Sequence, residues 1–259
     1  ATAAFMGLKE LYAVGGVQSI AALAYGTESI EKVVKITGPG NAYVVEAKRQ
    51  LYGIVGIDSL AGPSEIMIVS DRQDIPVDYI VRDMLSQAEH DPDAGAFLVT
   101  TSENQAKKVA ERIKKLVPKL PRKEIIEASF SNRSAIILAK DLEEIFEIIN
   151  EFAPEHLEIL TKKPFEDLYK IRNAGAIFIG PNTPEPVGDY FAGPNHTLPT
   201  SGCAKFSSPL GVQDFVKTSS VISYSAERLK SQGEQIIRFA EEEQLFSHAA
   251  AIQTRLDNF

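Results

Sequence analysis

The sequence alternates between short apolar runs and amphipathic segments, and this alternation constrains the fold more than any other feature. Six runs rich in β-branched residues have the length of buried strands, at residues 32–36, 66–69, 96–100, 135–138, 157–160 and 176–179. Segments of helical periodicity separate most of them. Because strands connected through helices run parallel, the pattern predicts an α/β fold with doubly wound, mostly parallel sheets.

The segment 76–90 shows the helical pattern most clearly. Its apolar residues stand at relative positions 0, 3, 4, 7, 8 and 11 from Val77, which places them on one helix face. The dipeptide Asp91-Pro92 predicts its end. Residues 103–117 and 141–152 predict further helices. Residues 226–258 predict a bent helical tail, and 221–224 predict a short strand before it.

Composition and charge exclude several classes of protein. The 259 residues carry 27 Lys and Arg against 35 Asp and Glu, a net charge of −8, which disfavours nucleic acid and anionic membranes as partners. The single cysteine, Cys203, excludes a disulfide framework within the chain and a cysteine-rich zinc module. No apolar stretch approaches the ~20 residues that span a bilayer. We therefore expect neither a nucleic-acid nor a membrane partner.

Gln87 and His90 close the amphipathic segment 76–90. Residues three apart are neighbours on one helix face, so an amide oxygen and an imidazole nitrogen there can share a metal ion. The alternative is a polar helix terminus with a histidine near the negative end of the helix dipole. Two ligands alone do not make a metal site.

Glu155 and His156 follow Pro154 at the junction of a predicted helix and a predicted strand. Histidine is the usual base near neutral pH, and a glutamate can serve when its pKa is raised. Two proton-transfer groups on a stiff corner indicate general acid–base chemistry. An ordinary loop with a solvated glutamate is the alternative.

Residues 181–211 break the alternation with six prolines and four glycines. Within this stretch, Asp189 and His196 lie close together among glycines that allow a ligand to approach the backbone. Asp189 offers a hard oxygen ligand, and His196 offers a hydrogen bond or a metal bond. A tight Gly/Asn turn is the structural alternative.

Two further groups of residues carry weaker signals. Glu243 and His248 lie in the helical tail five residues apart, so they do not share a helix face, and a solvated acidic surface is the alternative. Ser64 stands in a Gly/Pro turn before a strand, where it can touch a substrate; an ordinary Gly/Pro turn without a function is the alternative here and at residues 37–41. The turn 37–41 precedes a helix, whose free N–H groups attract anions, but Tyr43 replaces the third glycine of the dinucleotide fingerprint.

Several long motifs in a fixed order resemble the histidinol dehydrogenase family along essentially the whole chain. They are VGGVQSIAALAYGTES at 14–29, GPGN at 38–41, EAKRQ at 46–50, AGPSE at 61–65, LSQAEH at 85–90, PEHL at 154–157, GDY at 188–190, NH at 195–196 and LPT at 198–200. The resemblance implies oxidation of L-histidinol to L-histidine through L-histidinal, in two NAD-linked steps at a zinc ion. These are the last steps of histidine biosynthesis.

The resemblance also implies roles for residues at the matching positions. Gln87, His90, Asp189 and His248 look like zinc ligands, with His248 supplied by the partner subunit of a domain-swapped homodimer. Glu155 and His156 look like the acid–base pair. Substrate contacts are implied for Ser64, His196 and Glu243, and NAD contacts for Gln18 and Asn41. The C-terminal assignments depend on less distinctive flanking sequence.

The resemblance further implies a domain organisation and a cellular location. Residues 1–62 resemble the second half of a Rossmann-like domain on the NAD side, 63–205 a Rossmann-like zinc and substrate domain, and 206–259 a helical dimerisation tail. Family members extend further at the N-terminus, where the additional part would complete both incomplete domains and part of the NAD site. Either this sequence lacks that part, or the protein is a truncated relative, in which case NAD binding and activity are not expected. A cytoplasmic location is expected.

Two alternatives remain open at the level of sequence. A zinc hydrolase could use the same ligands, with Glu155 activating a metal-bound water. A non-catalytic fragment that only binds metal or a partner is the other.

Overall fold

The computed structural model describes residues 1–258, which fall into two compact units. The first comprises Ala1–Phe215, and the second begins at Val216. The domain boundaries expected after residues 62 and 205 remain predictions. Among the described residues, no helix is both long enough and apolar enough to cross a bilayer.

The N-terminal part of the first unit contains a small two-stranded parallel sheet. Its elements are α1 (Thr2–Phe5), α2 (Gly16–Tyr25), β1 (Lys35–Ile36), α3 (Ala42–Leu51) and β2 (Gly56–Ile57). Ile20, Ile36 and Leu51 contribute to the small core between helices and strands. The strand predicted at 32–36 is shorter than expected, because only its last two residues pair with β2 and Val34 is exposed.

A five-stranded parallel sheet lies in the rest of this unit. Its strands are β3 (Glu65–Ser70), β4 (Gly95–Thr100), β5 (Ala135–Leu138), β6 (His156–Leu160) and β7 (Ala176–Ile179). They lie in the order β5-β4-β3-β6-β7, and every neighbouring pair is parallel. Every residue of β3 is buried, as expected for a central strand covered on both faces. The predicted α/β fold with parallel sheets is confirmed.

Helices cover both faces of this sheet. They are α4 (Val77–Ala88), α5 (Glu103–Leu116), α6 (Lys123–Asn132) and α7 (Leu142–Phe152). Side chains of α4 and α5 form one core with Ile66 and Ile68 of β3. Ile145 and Ile149 of α7 form a second core with Met67 and Val69, which project from the opposite face of the same strand.

After β7 the chain becomes irregular, as the proline and glycine content of 181–211 predicts. Between β6 and β7 lies the short helix α8 (Pro164–Asp167), and beyond β7 lies α9 (Glu185–Val187). A π-helical turn at Gly188–Ala192 continues α9 directly. Such turns are frequent at functional sites.

The second unit contains two helices, α10 (Ala226–Glu242) and α11 (Phe246–Leu256). The predicted bend is a complete interruption, with Gln244 in the left-handed region at φ 60°. The strand predicted at 221–224 is wrong, because these residues are exposed and pair with no strand among the described residues. β-Branched residues favour strands only where a neighbouring strand is available to pair with them.

Candidate metal and acid–base site

The candidate site lies at the amino ends of the central strands β3 and β6. Ser64 immediately precedes β3, Glu155 immediately precedes β6, and His156 is the first residue of β6. In a parallel sheet these starts meet at one edge. Helix α4 connects two parallel strands and therefore runs back toward the same edge, which brings Gln87 and His90 at its end to the site.

A cavity of about 320 Å³ collects most of the predicted site residues. Seven of them line it: Ser64, Gln87, His90, Glu155, His156, Asp189 and His196. They come from five separate parts of the sequence, and the parallel sheet with its returning connections brings them together. The Gly-Pro-Gly turn contributes Pro39 and Gly40 to the wall.

Gln87 supplies the strongest evidence for a metal. Its side chain is 1% exposed, and its Oε1 atom has no hydrogen-bond partner among the described residues. An unpaired buried amide oxygen costs about 1–3 kcal/mol unless something binds it. Because this residue lines a cavity that also contains imidazole and carboxylate groups, a cation is a fitting partner.

A cluster of metal-ligating side chains lies in the same cavity. Ligand atoms of His156, Glu185 and Asp189 all lie within 4.8 Å of one another. Glu185 was not among the predicted site residues. It stands four residues before Asp189, the spacing of one helical turn, and that spacing was the available signal.

Buried carboxyl groups extend from this cluster into the protein. Burial first, and then the hydrogen bond to Asp189, raises the pKa of Glu185 to about 8. Below it, Glu158 of β6 accepts a hydrogen bond from the backbone N–H of Glu185 at 2.9 Å. Burial first, and then the charge of Asp83 on α4, raises the pKa of Glu158 well above its ordinary value. These acids are therefore protonated more readily than exposed ones.

Backbone groups of Glu65 hold the acid–base pair. The Glu65 N–H donates to Glu155 Oε2 at 3.0 Å, and the Glu65 carbonyl lies 3.1 Å from His156 Nδ1. A carbonyl oxygen can only accept, so Nδ1 carries the proton and donates. The Nε2 atom of the neutral ring is therefore the one free to accept a proton.

The environment shifts the pKa values of this pair in opposite directions. Burial lowers the pKa of His156 to about 4, so the ring is neutral near pH 7. Burial, together with the charge of Glu65, raises the pKa of Glu155 to about 8, although the hydrogen bond from the Glu65 N–H lowers it. A hydrogen bond from Ser64 also lowers the pKa of Glu155. The result is a neutral imidazole beside a carboxyl group that titrates near neutral pH, so one group can accept a proton while the other can donate or accept one.

The other predicted site residues lie outside this cavity. Gln18 on α2 is exposed, and Asn41 caps α3 by accepting hydrogen bonds from the backbone of Tyr43 and Val44. Glu243 directly follows α10 and His248 lies on α11, both exposed in the second unit. Their roles toward NAD, substrate and metal remain predictions.

Taken together, the fold and the cavity define a class of protein: an α/β protein with a cavity that can bind a metal ion and that contains a buried glutamate–histidine pair. The sequence matches the family described as histidinol dehydrogenase over residues 1–256. It is 55% identical over 257 residues to the histidinol dehydrogenase of Halalkalibacterium halodurans and 52% identical over 257 residues to that of Listeria monocytogenes. Each alignment covers 99% of this chain and 60% of the relative.

A solved structure agrees with these similarities. The crystal structure of histidinol dehydrogenase from Elizabethkingia anophelis matches with a TM-score of 0.89 at 36% identity, over 99% of this chain and 59% of that one. The chain belongs to the histidinol dehydrogenase family. It spans about 60% of the length of the curated relatives it matches.

Proposed function

We propose that the protein oxidises L-histidinol to L-histidine through L-histidinal as a zinc-dependent enzyme, with two NAD molecules as hydride acceptors. The reaction would complete histidine biosynthesis. One observation carries the proposal: the unpartnered Gln87 oxygen and the carboxylate of Asp189 share a cavity with the buried Glu155–His156 pair. The names of the relatives support this choice of substrate.

The donor atoms of the cavity fit zinc. We assign the ion to Gln87, His90 and Asp189 of one subunit and to the partner subunit's His248, because nitrogen and oxygen donors suit zinc. Glu185, hydrogen-bonded to Asp189, would orient that ligand in the way that neighbouring carboxyl groups commonly support metal ligands. When bound, zinc would hold the imidazole and amine of histidinol and polarise its hydroxyl group.

His156 would act as the base of the first oxidation. Its Nε2 atom takes the proton of the substrate hydroxyl while a hydride leaves the adjacent carbon for NAD, which yields the aldehyde. Two features of the ring support this role. The carbonyl of Glu65 fixes the Nδ1–H tautomer, and burial lowers the pKa of His156 to about 4, so the ring is unprotonated before the reaction.

Glu155 would serve the second oxidation, in which water adds to the aldehyde. The carboxylate takes one proton from the attacking water, and the hydrated aldehyde then loses a hydride to the second NAD to give the acid. Because burial raises the pKa of Glu155 to about 8, the ionised form is a stronger base than an exposed glutamate. Its hydrogen bond to the Glu65 N–H keeps the carboxylate in one orientation.

The remaining predicted contacts complete the proposal. Ser64 and His196 line the cavity and would bind the substrate, together with the partner's Glu243. Gln18 and Asn41 would contact NAD. The protein would act as a homodimer in which the helical tail of each subunit completes the site of the other. A biosynthetic role of this kind corresponds to a cytoplasmic enzyme.

Formation of NADH from histidinol by the zinc-loaded, full-length protein tests the proposal. We expect two NADH per histidinol, loss of the activity after dialysis against a chelator, and recovery when zinc is added back. His156→Asn is the matched control, since it should retain zinc and lose turnover. A zinc-loaded protein that forms no NADH with histidinol would refute the dehydrogenase.

The same preparation discriminates the two alternatives. The position of Glu155 supports a hydrolase, because it lies in the same cavity as residues that can bind a metal ion. A carboxylate in that position can activate a metal-bound water. Zinc-dependent ester hydrolysis without NADH formation would support that function. Tight zinc binding with neither activity would support a protein that only binds metal.

A further inference from the structure

Glu65 is the first residue of β3, and it touches both members of the acid–base pair without being one of them. Its N–H donates to Glu155 Oε2 at 3.0 Å, and its carbonyl accepts from His156 Nδ1 at 3.1 Å. These contacts explain why Glu155 and His156 adopt fixed orientations. They come from the backbone of Glu65, so they depend on where the end of β3 is held.

The register of the sheet explains why the backbone of Glu65 can make these two contacts. Strand β6 begins at His156, which pairs with Ile66, so β6 has no residue in register with Glu65. The Glu65 N–H, which has no acceptor from β6 on that side, is satisfied by the Glu155 carboxyl group, whereas the Glu65 carbonyl lies within the β3–β6 ladder and uses its second lone pair to accept from His156 Nδ1. The backbone of the first residue of this central strand therefore holds both functional side chains.

The Glu65 side chain is anchored separately. It is 3% exposed, and its Oε1 atom accepts a hydrogen bond from the Ser201 N–H at 2.9 Å, with a further hydrogen bond from the Gly202 N–H. Ser201 and Gly202 both have positive φ angles, 53° and 78°. Consecutive N–H groups in such turns form a concave anion-binding nest, and the Glu65 carboxylate occupies it.

The left-handed conformation of Ser201 has a cost that its surroundings must offset. A non-glycine residue with positive φ is strained and persists only when its contacts hold it there. The carboxylate of Glu65 provides that contact. The preceding residue, Thr200, accepts a hydrogen bond from the Gly62 N–H and lines the cavity. The turn is thus connected to the cavity wall on one side and to Glu65 on the other.

We propose that the carboxylate of Glu65 is a positioning residue for the acid–base pair. By holding the nest at 201–202, it fixes the start of β3, and the backbone of that residue then sets the His156 tautomer and the Glu155 orientation. The catalytic consequence depends on the proposed function, but the effect on the His156 ring does not. Glu65 contacts neither substrate nor metal in this assignment.

Glu65→Gln is the most informative variant, because it keeps the volume of the side chain and one acceptor oxygen. The amide replaces a charge-assisted acceptor with a weaker neutral one and places an NH₂ group beside two N–H donors. We expect kcat for histidinol to fall by about 10- to 100-fold, with KM and zinc content near the wild-type values. In ¹⁵N NMR of the imidazole, the Nδ1–H tautomer of His156 should lose population.

Gln105→Met provides a matched control. Gln105 is another buried polar side chain that ties a loop to the sheet, donating to the Arg72 carbonyl at 2.8 Å beyond the carboxyl end of β3. It should lower the Tm without changing kcat per zinc-loaded site or the His156 spectrum. This control separates positioning from general loss of stability.

The results for Glu65→Gln either support or overturn the proposal. A Glu65→Gln protein with wild-type kcat and an unchanged His156 tautomer would overturn it, as would a loss of activity that matches only the loss of folded or zinc-loaded protein. If the wild type forms no NADH from histidinol, the proposed function fails. The tautomer of His156 in Glu65→Gln then still decides whether Glu65 positions the ring.

Discussion

The buried ion pair between Lys48 and Asp58 should be one of the most sensitive points of the N-terminal part of the chain. The two side chains are 3% and 4% exposed, and Lys48 Nζ lies 2.6 Å from Asp58 Oδ1. The same ammonium donates to the Gly38 carbonyl at 2.6 Å, and the Gly38 N–H donates to Asp58 Oδ2 at 2.7 Å. The pair therefore holds both backbone groups of Gly38, whose φ is +116°.

Lys48→Met removes the cation and retains most of the volume of the side chain. Asp58 then remains a buried carboxylate held only by backbone donors. Loss of one member of a buried ion pair costs about 3–5 kcal/mol, because the remaining charge is uncompensated. For a unit of about 200 residues, each kcal/mol shifts the Tm by about 2–4 °C, so we expect the Tm to fall by about 10 °C.

The double variant Lys48→Met, Asp58→Asn tests the reason for this cost. It lacks the buried charge, so its free energy of unfolding should lie above that of Lys48→Met alone, although two charges have been removed. Urea denaturation followed by circular dichroism gives the free energy of unfolding for the wild type, both single variants and the double variant. Arg49→Met, next in sequence but exposed, is the control and should cost well under ~1 kcal/mol.

Two results would refute this reasoning. If Lys48→Met loses less than ~1 kcal/mol, the pair contributes no more than a surface ion pair does. If the double variant is as unstable as the sum of the single variants, the cost arises from lost packing and not from an uncompensated charge. A change confined to the activity would leave the stability argument without support.

Three further predictions concern the site and the pH. Gln87→Met should raise the Tm of the metal-free protein, because it removes an unpaired buried amide oxygen that costs about 1–3 kcal/mol of folding free energy. The same variant should weaken zinc binding measured by calorimetry. A lower Tm of the metal-free variant would contradict the ligand assignment. His156→Asn should reduce kcat by about 10²- to 10⁴-fold at near-normal zinc content, whereas His90→Asn should lose zinc. Equal loss of zinc in both variants would show that the assignment of His156 as the base and His90 as a ligand is wrong. Burial acts to raise the pKa of Asp58, but hydrogen bonds from Lys48 and Gly38 lower it below the usual value. The stability gap between wild type and Asp58→Asn should therefore be constant above about pH 5 and shrink below about pH 3.9, as the pH approaches the folded-state pKa.

Much of the fold follows from local patterns in the sequence. The periodicity of 76–90 predicts α4, and the apolar runs predict the strands of the large sheet within one or two residues. These helices and strands pack their apolar faces against one another, so the residues that the sequence periodicity places on one face are the residues that are buried. The strand predicted at 221–224 failed because its β-branched residues have no partner strand among the described residues.

The candidate site was predictable only where chemistry and local sequence coincide. Gln87 with His90, and Glu155 with His156, stand out as pairs close in sequence. The carboxyl groups of half-buried Asp83 and of buried Glu158 and Glu185 give a weaker signal, limited to the four-residue spacing between Glu185 and Asp189, because single acidic residues in a helix or a strand normally face water. Their burial depends on the packing of three distant segments, which no local pattern contains.

The role of Glu65 was equally hidden from the sequence. Its contribution depends on β6 starting one register position later than β3, and on a turn more than 130 residues away that supplies two donors. Backbone contacts of this kind leave no mark on residue type. They are visible only once the register of the sheet is known.

The start of β6 between Glu155 and His156 has a consequence for how the family can vary. Glu155 lies just before the strand and His156 is its first residue, yet both side chains line one cavity, with Glu155 Oε2 3.7 Å from His156 Nδ1, so their arrangement depends on where the strand begins. One residue inserted after Pro154 would put the wrong side chain at each place and leave the apolar cores out of phase as well. Loops on the far edge of the sheet can therefore change length without moving the pair, whereas an insertion or deletion at this corner displaces it.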